Sequence, residues 1–140
     1  MGDAALIDVV GSIPFSSGDE VLQAVPPRVI AVFDVQPMRD AIYQPLGIDF
    51  EYYLPGNANH FLTDIQRATS STGQIMVLKR KRNVGSKVHP SYVNTIHTLS
   101  RSDNYLEIDP DTAATALIAK CRGVISAPFT STALIGRDLG

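Results

Sequence analysis

The sequence predicts an α/β fold: a Rossmann-like, mainly parallel sheet with helices on both faces. Three observations carry this. From Arg28 onward, short apolar runs alternate with longer segments of helical periodicity, the order that βα units require. The runs, led by Val29-Ile30-Ala31-Val32-Phe33, are apolar at consecutive positions, as in strands covered on both sides. The balance of 44% hydrophobic and 19% charged residues is that of an ordinary globular domain.

Residues 1–27 read as a connecting segment. Val9-Val10 has strand character, but Gly11, Pro14, Ser16, Ser17 and Gly18 interrupt it and Pro26-Pro27 close it. Residues 28–140 form one Rossmann-like unit. Its first strand ends at Asp34, with Gln36-Pro37 in the following loop. A short helix is expected over 38–43, before Pro45 and Gly47, and a strand or extended loop over Ile48–Leu54. Asn57 is placed to cap the next helix, whose stripe is Phe61, Leu62, Ile65 and Ala68, and Ser70-Ser71-Thr72-Gly73 ends it. Gln74–Lys79 is a strand that runs into Lys79-Arg80-Lys81-Arg82, the densest basic cluster.

After Pro90 a helix carries Tyr92, Val93, Ile96 and Leu99 on one stripe, and Tyr105–Ile108 is a short strand. Asp109-Pro110-Asp111 is expected to start another helix, with Asp109 as cap and Pro at the first helical position. Its apolar face is Ala113, Ala114, Leu117, Ile118 and Cys121. Gly123–Ser126 is the last strand and Thr130–Leu139 the last helix.

Bulk properties narrow the function classes. The 140 residues suffice for one core. Twelve basic and fourteen acidic side chains leave a net charge of -2, so no global field attracts nucleic acid, and no aromatics interleave the basic cluster. A single cysteine, Cys121, makes no internal disulfide and suits a reducing compartment. No apolar stretch approaches the roughly 20 residues of a membrane helix, and Asp3 and Asp8 spoil a secretory leader. The expected location is cytoplasmic, with peripheral contact at the inner face of the membrane left open. The three histidines lack metal-ligand spacing, so neither a metal nor another cofactor is expected.

Right-handed crossovers gather the carboxyl ends of parallel strands on one edge, where α/β folds bind ligands. That edge should hold Asp34, Lys79–Arg82, Asp109 and Ser126–Thr132. Ser126-Ala127-Pro128-Phe129-Thr130-Ser131-Thr132 joins a strand end to a helix start, where free N–H groups and the helix dipole favour an anion. Ser126, Thr130, Ser131 and Thr132 add hydroxyl donors and make the candidate phosphate site; the plainer reading is helix capping. Lys79 and Lys81 lie on one side of the basic strand end, as phosphate ligands or as solvated charges. His89 stands before a helix and suits phosphate donation or proton transfer, or is a loop residue without a role. Asp34 has no competing cap role; ribose binding, acceptor orientation and general-base work all fit it.

The runs Ile30–Pro37 and Val124–Ala133, with Lys79-Arg80-Lys81-Arg82 between them, resemble bacterial polysaccharide-biosynthesis proteins named for a PFTS motif, here Pro128-Phe129-Thr130-Ser131. The resemblance covers roughly residues 28–140. It implies a glycosyltransferase similar in outline to two-Rossmann (GT-B) enzymes, of which this chain is the donor-nucleotide-binding half, truncated at its carboxyl end and inactive alone. His89-Pro90 and Ser126–Thr132 also match the order found in CMP-sugar and CDP-glycerol transferases, which implies a cytidine nucleotide donor. A nucleotide sugar, a glycan or lipid-linked acceptor and an amino-terminal domain or partner follow as expected partners. The alternatives are a CDP-linked polyol-phosphate transferase and a non-catalytic module that binds nucleotide or a partner.

Overall fold

A computed structural model describes Gln23 and residues 25–39, 54–128 and 131–139. Its sheet has four parallel strands, β1 (Val29–Phe33), β2 (Ile75–Lys79), β3 (Tyr105–Ile108) and β4 (Gly123–Ser126), in the order β3-β2-β1-β4. The helices among the described residues are α1 (Pro55–Ser71), α2 (Pro90–Leu99), α3 (Ala114–Ile118) and α4 (Ser131–Leu139), with a 3-10 turn at Gly85–Lys87. Phe33 pairs with both Lys79 and Ser126, and Lys79 with Ile108, so the four strand ends lie level.

Side-chain alternation splits the core in two. Val32, Met76, Leu78 and Tyr105 pack with Ala58, Leu62 and Ile65 of α1 and with Tyr92 and Leu99 of α2. Val29, Ala31, Phe33 and Val77 pack with Ile108, Leu117 and Ile118, and Ile135 of α4 is partly buried against them. Helices therefore cover both faces, which is why β1 is apolar at every position. At Gly136 α4 lies so close to the sheet that a Cβ would sit 3.3 Å from the Val124 side chain.

Several local expectations are corrected. Asn57 does not cap α1; Leu54 holds that position without a side-chain cap, and Pro55 opens the helix. Proline suits the first turn because its absent N–H has no helical partner there anyway. The buried stripe is Ala58, Leu62, Ile65 and Thr69, with Ala68 exposed. Thr69 tolerates burial because its hydroxyl donates back to the Ile65 and Gln66 carbonyls at 3.0 Å each. Gly73, at φ 66, takes the left-handed turn after α1. On α2, Val93 is 51% exposed and the buried pair is Tyr92 and Leu99.

Asp109 caps no helix. Its Oδ1 accepts from the Asp111 N–H at 2.8 Å, its carbonyl accepts from Thr112 N, and these close a turn. The helix begins only at Ala114 and lasts five residues. Met38 bridges Val88 in antiparallel fashion and Arg39 N–H donates to Lys87 O, so the helix expected from residue 38 does not start there. The remainder of that helix, Val9-Val10 and the extended stretch over 48–53 lie outside the described residues.

Candidate functional site

The strand order creates the site. From β1 the chain proceeds to β2 and β3 on one side, then returns to β4 on the other. The order reverses beside β1, and the crevice at such a switch point is where open α/β sheets take ligands. One wall begins at Asp34, directly after β1; the other begins at Ala127, directly after β4. Ala127 N–H donates to the Phe33 carbonyl at 2.7 Å and holds the walls together.

The β4 wall leads into α4, which Ser131 opens. Ser126 Oγ lies 2.7 Å from Thr132 Oγ1, so the strand end and the first helical turn are joined by their hydroxyls. The N–H groups of that turn have no earlier helical carbonyl to bond and carry the positive end of the helix dipole. Thr130 lies outside the described residues, and for Ser131 only the backbone is described.

The β1 wall is built around a buried carboxylate. Even-numbered residues of β1 face α1 and α2, and Asp34 continues that register. It is 3% exposed, and its Oδ2 accepts a hydrogen bond from the Tyr92 hydroxyl of α2. Burial pushes the Asp34 carboxyl up to about 6; the bond from Tyr92, its own backbone and the Arg80 charge oppose the rise, and Glu107 adds to it. Burial and the Asp34 charge likewise push the Tyr92 hydroxyl well above its usual range, so it remains a donor. Arg80, at the end of β2, pairs with Glu107 of β3 at 2.5 Å, and Tyr105 donates to Glu107 at 3.4 Å. Gln36 is buried too, and its Oε1 accepts from the Arg82 N–H at 3.1 Å.

His89 caps α2. Its Nδ1 accepts from the Ser91 N–H at 3.2 Å and lies 2.8 Å from Ser91 Oγ. An accepting Nδ1 places the proton of the neutral ring on Nε2, which makes that atom a donor. Asn59 of α1 donates to Ser91 Oγ at 3.3 Å and steadies the arrangement. The His89 N–H donates to the Pro37 carbonyl at 2.9 Å, which fastens α2 to the loop that carries Asp34 and Gln36.

Lys79 points to the opposite face of the sheet. Its Nζ donates to the Pro110 carbonyl at 2.8 Å; burial lowers its pKa, while Asp111 and Asp109 raise it. Lys81 is exposed beyond the strand end. The structure thus places Asp34, Ser126 and Thr132 at the carboxyl edge of the sheet, with the Asp34 side chain buried against Tyr92, and ties His89 to the loop that follows β1. It directs Lys79 elsewhere.

Tyr92, Gln36 and the Arg80–Glu107 pair were not singled out as functional residues from sequence. Tyr92 was read as an apolar stripe residue, although a tyrosine on a buried stripe needs a partner for its hydroxyl, and that need was the available signal. A surface groove of about 440 Å³ runs along β4 and α4 and reaches the site at Ser126 and Ala133, and another of the same volume lies apart from it between α1 and α2. Cys121 borders the first; burial pushes its thiol up to about 11, and a backbone bond with Ala31 opposes this, so it is a poor nucleophile. Among the described residues no cluster of His, Cys, Asp and Glu suits a metal ion, and no helix is long and apolar enough to cross a membrane.

A family model described as "Polysaccharide biosynthesis PFTS motif protein" matches residues 1–140. No curated protein and no solved structure matches the chain.

Proposed function

Since the chain belongs to the polysaccharide biosynthesis PFTS motif family, we propose that it binds the nucleotide-activated donor for a glycosyltransferase that builds surface polysaccharide. The observation that carries this reading is the convergence of the Asp34 loop with Ser126, Ala127 and the first turn of α4 at the switch point of the sheet. The donor phosphate lies over the start of α4, held by the N–H groups of its first turn and by Ser126, Thr130, Ser131 and Thr132. Lys81 contributes positive charge from the strand end. Lys79, committed to Pro110, supports the edge from below.

In the transfer, the bond from the anomeric carbon to the phosphate oxygen breaks, and one to the acceptor oxygen forms. Negative charge grows on the departing phosphate, and His89 Nε2–H stabilises it as a fixed donor. The acceptor proton passes to a base that, in this reading, belongs to the other half of a two-domain enzyme. The site works without a metal, and a cytidine nucleotide is the favoured donor. Such chemistry belongs in the cytoplasm or at the inner face of the membrane.

A thermal-shift screen with CMP, CDP, UDP and GDP tests the reading. A ligand at about a hundred times its Kd stabilises the fold by about 2.7 kcal/mol. For a domain of this size that raises Tm by on the order of 10 °C. The expected result is a shift with CMP or CDP that Thr132→Ala, Ser131→Ala and His89→Ala each reduce. No shift with any of the four nucleotides, in this chain and in a two-domain form, contradicts it. Turnover of CMP-sugars against CDP-glycerol separates sugar transfer from polyol-phosphate transfer, and binding without turnover in the two-domain form marks a non-catalytic module.

A further inference from the structure

The buried polar groups beside β1 are incompletely satisfied in a patterned way. Among the described residues, four buried side-chain atoms have no hydrogen-bond partner: Asn59 Oδ1 on α1, and Asp34 Oδ1, Gln36 Nε2 and Arg80 Nε beside the sheet. The last three belong to residues at the carboxyl ends of the adjacent strands β1 and β2. Each is anchored through its other polar atoms: Asp34 by Tyr92, Gln36 by the Arg82 N–H and Arg80 by Glu107. The side chains are therefore held while one acceptor and two donors are left over. Native proteins rarely leave such atoms unmatched, and a set of them at a strand edge needs an occupant.

The donor and acceptor count identifies the occupant's chemistry. A phosphate or carboxylate is refused by the Asp34 and Glu107 carboxylates, and a metal cation by the Gln36 amide N–H and the Arg80 guanidinium. One hydroxyl donates once and accepts twice, which complements one free acceptor and two free donors. Asp34 and Gln36 are 3% and 6% exposed, an enclosure suited to a single hydroxyl rather than a whole sugar ring.

We infer that Asp34, Gln36 and Arg80 form a subsite for one hydroxyl of a carbohydrate or nucleoside ligand, with Asp34 Oδ1 taking its hydrogen bond and the Gln36 and Arg80 N–H groups donating to its oxygen. Tyr92 is a positioning residue: by holding Oδ2 it aims Oδ1 at the hydroxyl. The inference deepens the donor-binding reading above and rests on it for the choice of probes.

Near-isosteric variants reverse the polarity of single atoms. In Asp34→Asn the amide oxygen still accepts from Tyr92, and a donor replaces Oδ1. In Gln36→Glu the oxygen still accepts from Arg82, and an acceptor replaces Nε2. The probes are CMP and CDP with their 2′-deoxy and 3′-deoxy forms, and glucose and galactose with their monodeoxy forms. Affinity and the Gln36 side-chain amide resonance are followed by NMR. Removing one particular hydroxyl should weaken wild-type binding about tenfold or more, as expected of a site built to hydrogen-bond it. That difference should fall below twofold in either variant, and Gln36→Glu repeats the test at an independent position. Deoxy forms that bind like their parents, or no probe that moves the Gln36 amide, overturn the inference and leave these polar atoms to water alone. Nucleotide binding without hydroxyl dependence overturns the subsite but not the donor reading; hydroxyl dependence confined to hexoses does the reverse.

Discussion

Replacing Asp34 with asparagine should stabilise the fold at neutral pH, and the gain should disappear in acid. Asp34 is 3% exposed, and burial lifts its carboxyl from the ordinary 3.8 to about 6. The folded state therefore holds this proton more tightly than the unfolded chain does. The resulting stabilisation is complete below pH 3.8 and is lost as pH rises through about 6. A shift of about two pKa units corresponds to about 3 kcal/mol. Asparagine keeps the acceptor for Tyr92 but never ionises, so it escapes this cost. Urea unfolding from pH 4 to pH 8 measures the difference. Asp34→Asn should match the wild type near pH 4 and exceed it by about 3 kcal/mol at pH 8, an increase of about 1–2 M in the urea midpoint. A stability difference that stays constant across this range refutes the reasoning. A natural protein that retains the costly carboxylate has a use for it, as active sites commonly do.

Tyr92→Phe removes the donor to Asp34 and should cost about 1–3 kcal/mol at pH 8 but less at pH 4, with the Asp34 carboxyl titrating above 6 by carbon NMR. Lys79→Met breaks the 2.8 Å bond to Pro110 and should lower stability by about 1–3 kcal/mol in urea unfolding. Leu62→Ala, at a fully buried position against the sheet, should cost about 2–5 kcal/mol, and a smaller loss would contradict the packing of α1.

The architecture was legible because both faces of the sheet are covered. That arrangement makes the central strands β1 and β2 near-continuous apolar runs, while the edge strands β3 and β4 are shorter and more mixed and stand out by their place between helical segments. Helix starts were less legible. Proline at 55 and the Asp109-Pro110 turn each compete with a side-chain cap, and at Asp109 the bond from Lys79 to Pro110 helps to hold a turn where a helix start was expected. Of the site, Asp34 and the Ser126–Thr132 turn were visible as strand ends. Their junction depends on the order β3-β2-β1-β4, which single-strand patterns do not encode. Tyr92 and Gln36 stayed hidden because their roles depend on partners 58 and 46 residues away in sequence.

The central claim is that a donor nucleotide occupies the crevice between the β1 and β4 strand ends. An amide-resolved NMR titration with CMP and with CDP tests it most directly. The account predicts saturable shifts at Ala127, Thr132 and Ala133, with smaller ones at Asp34, Gln36 and His89, and little change along the groove between α1 and α2. Shifts centred on Thr63, Gln66 and Asn94, or a spectrum that neither nucleotide alters, would contradict it.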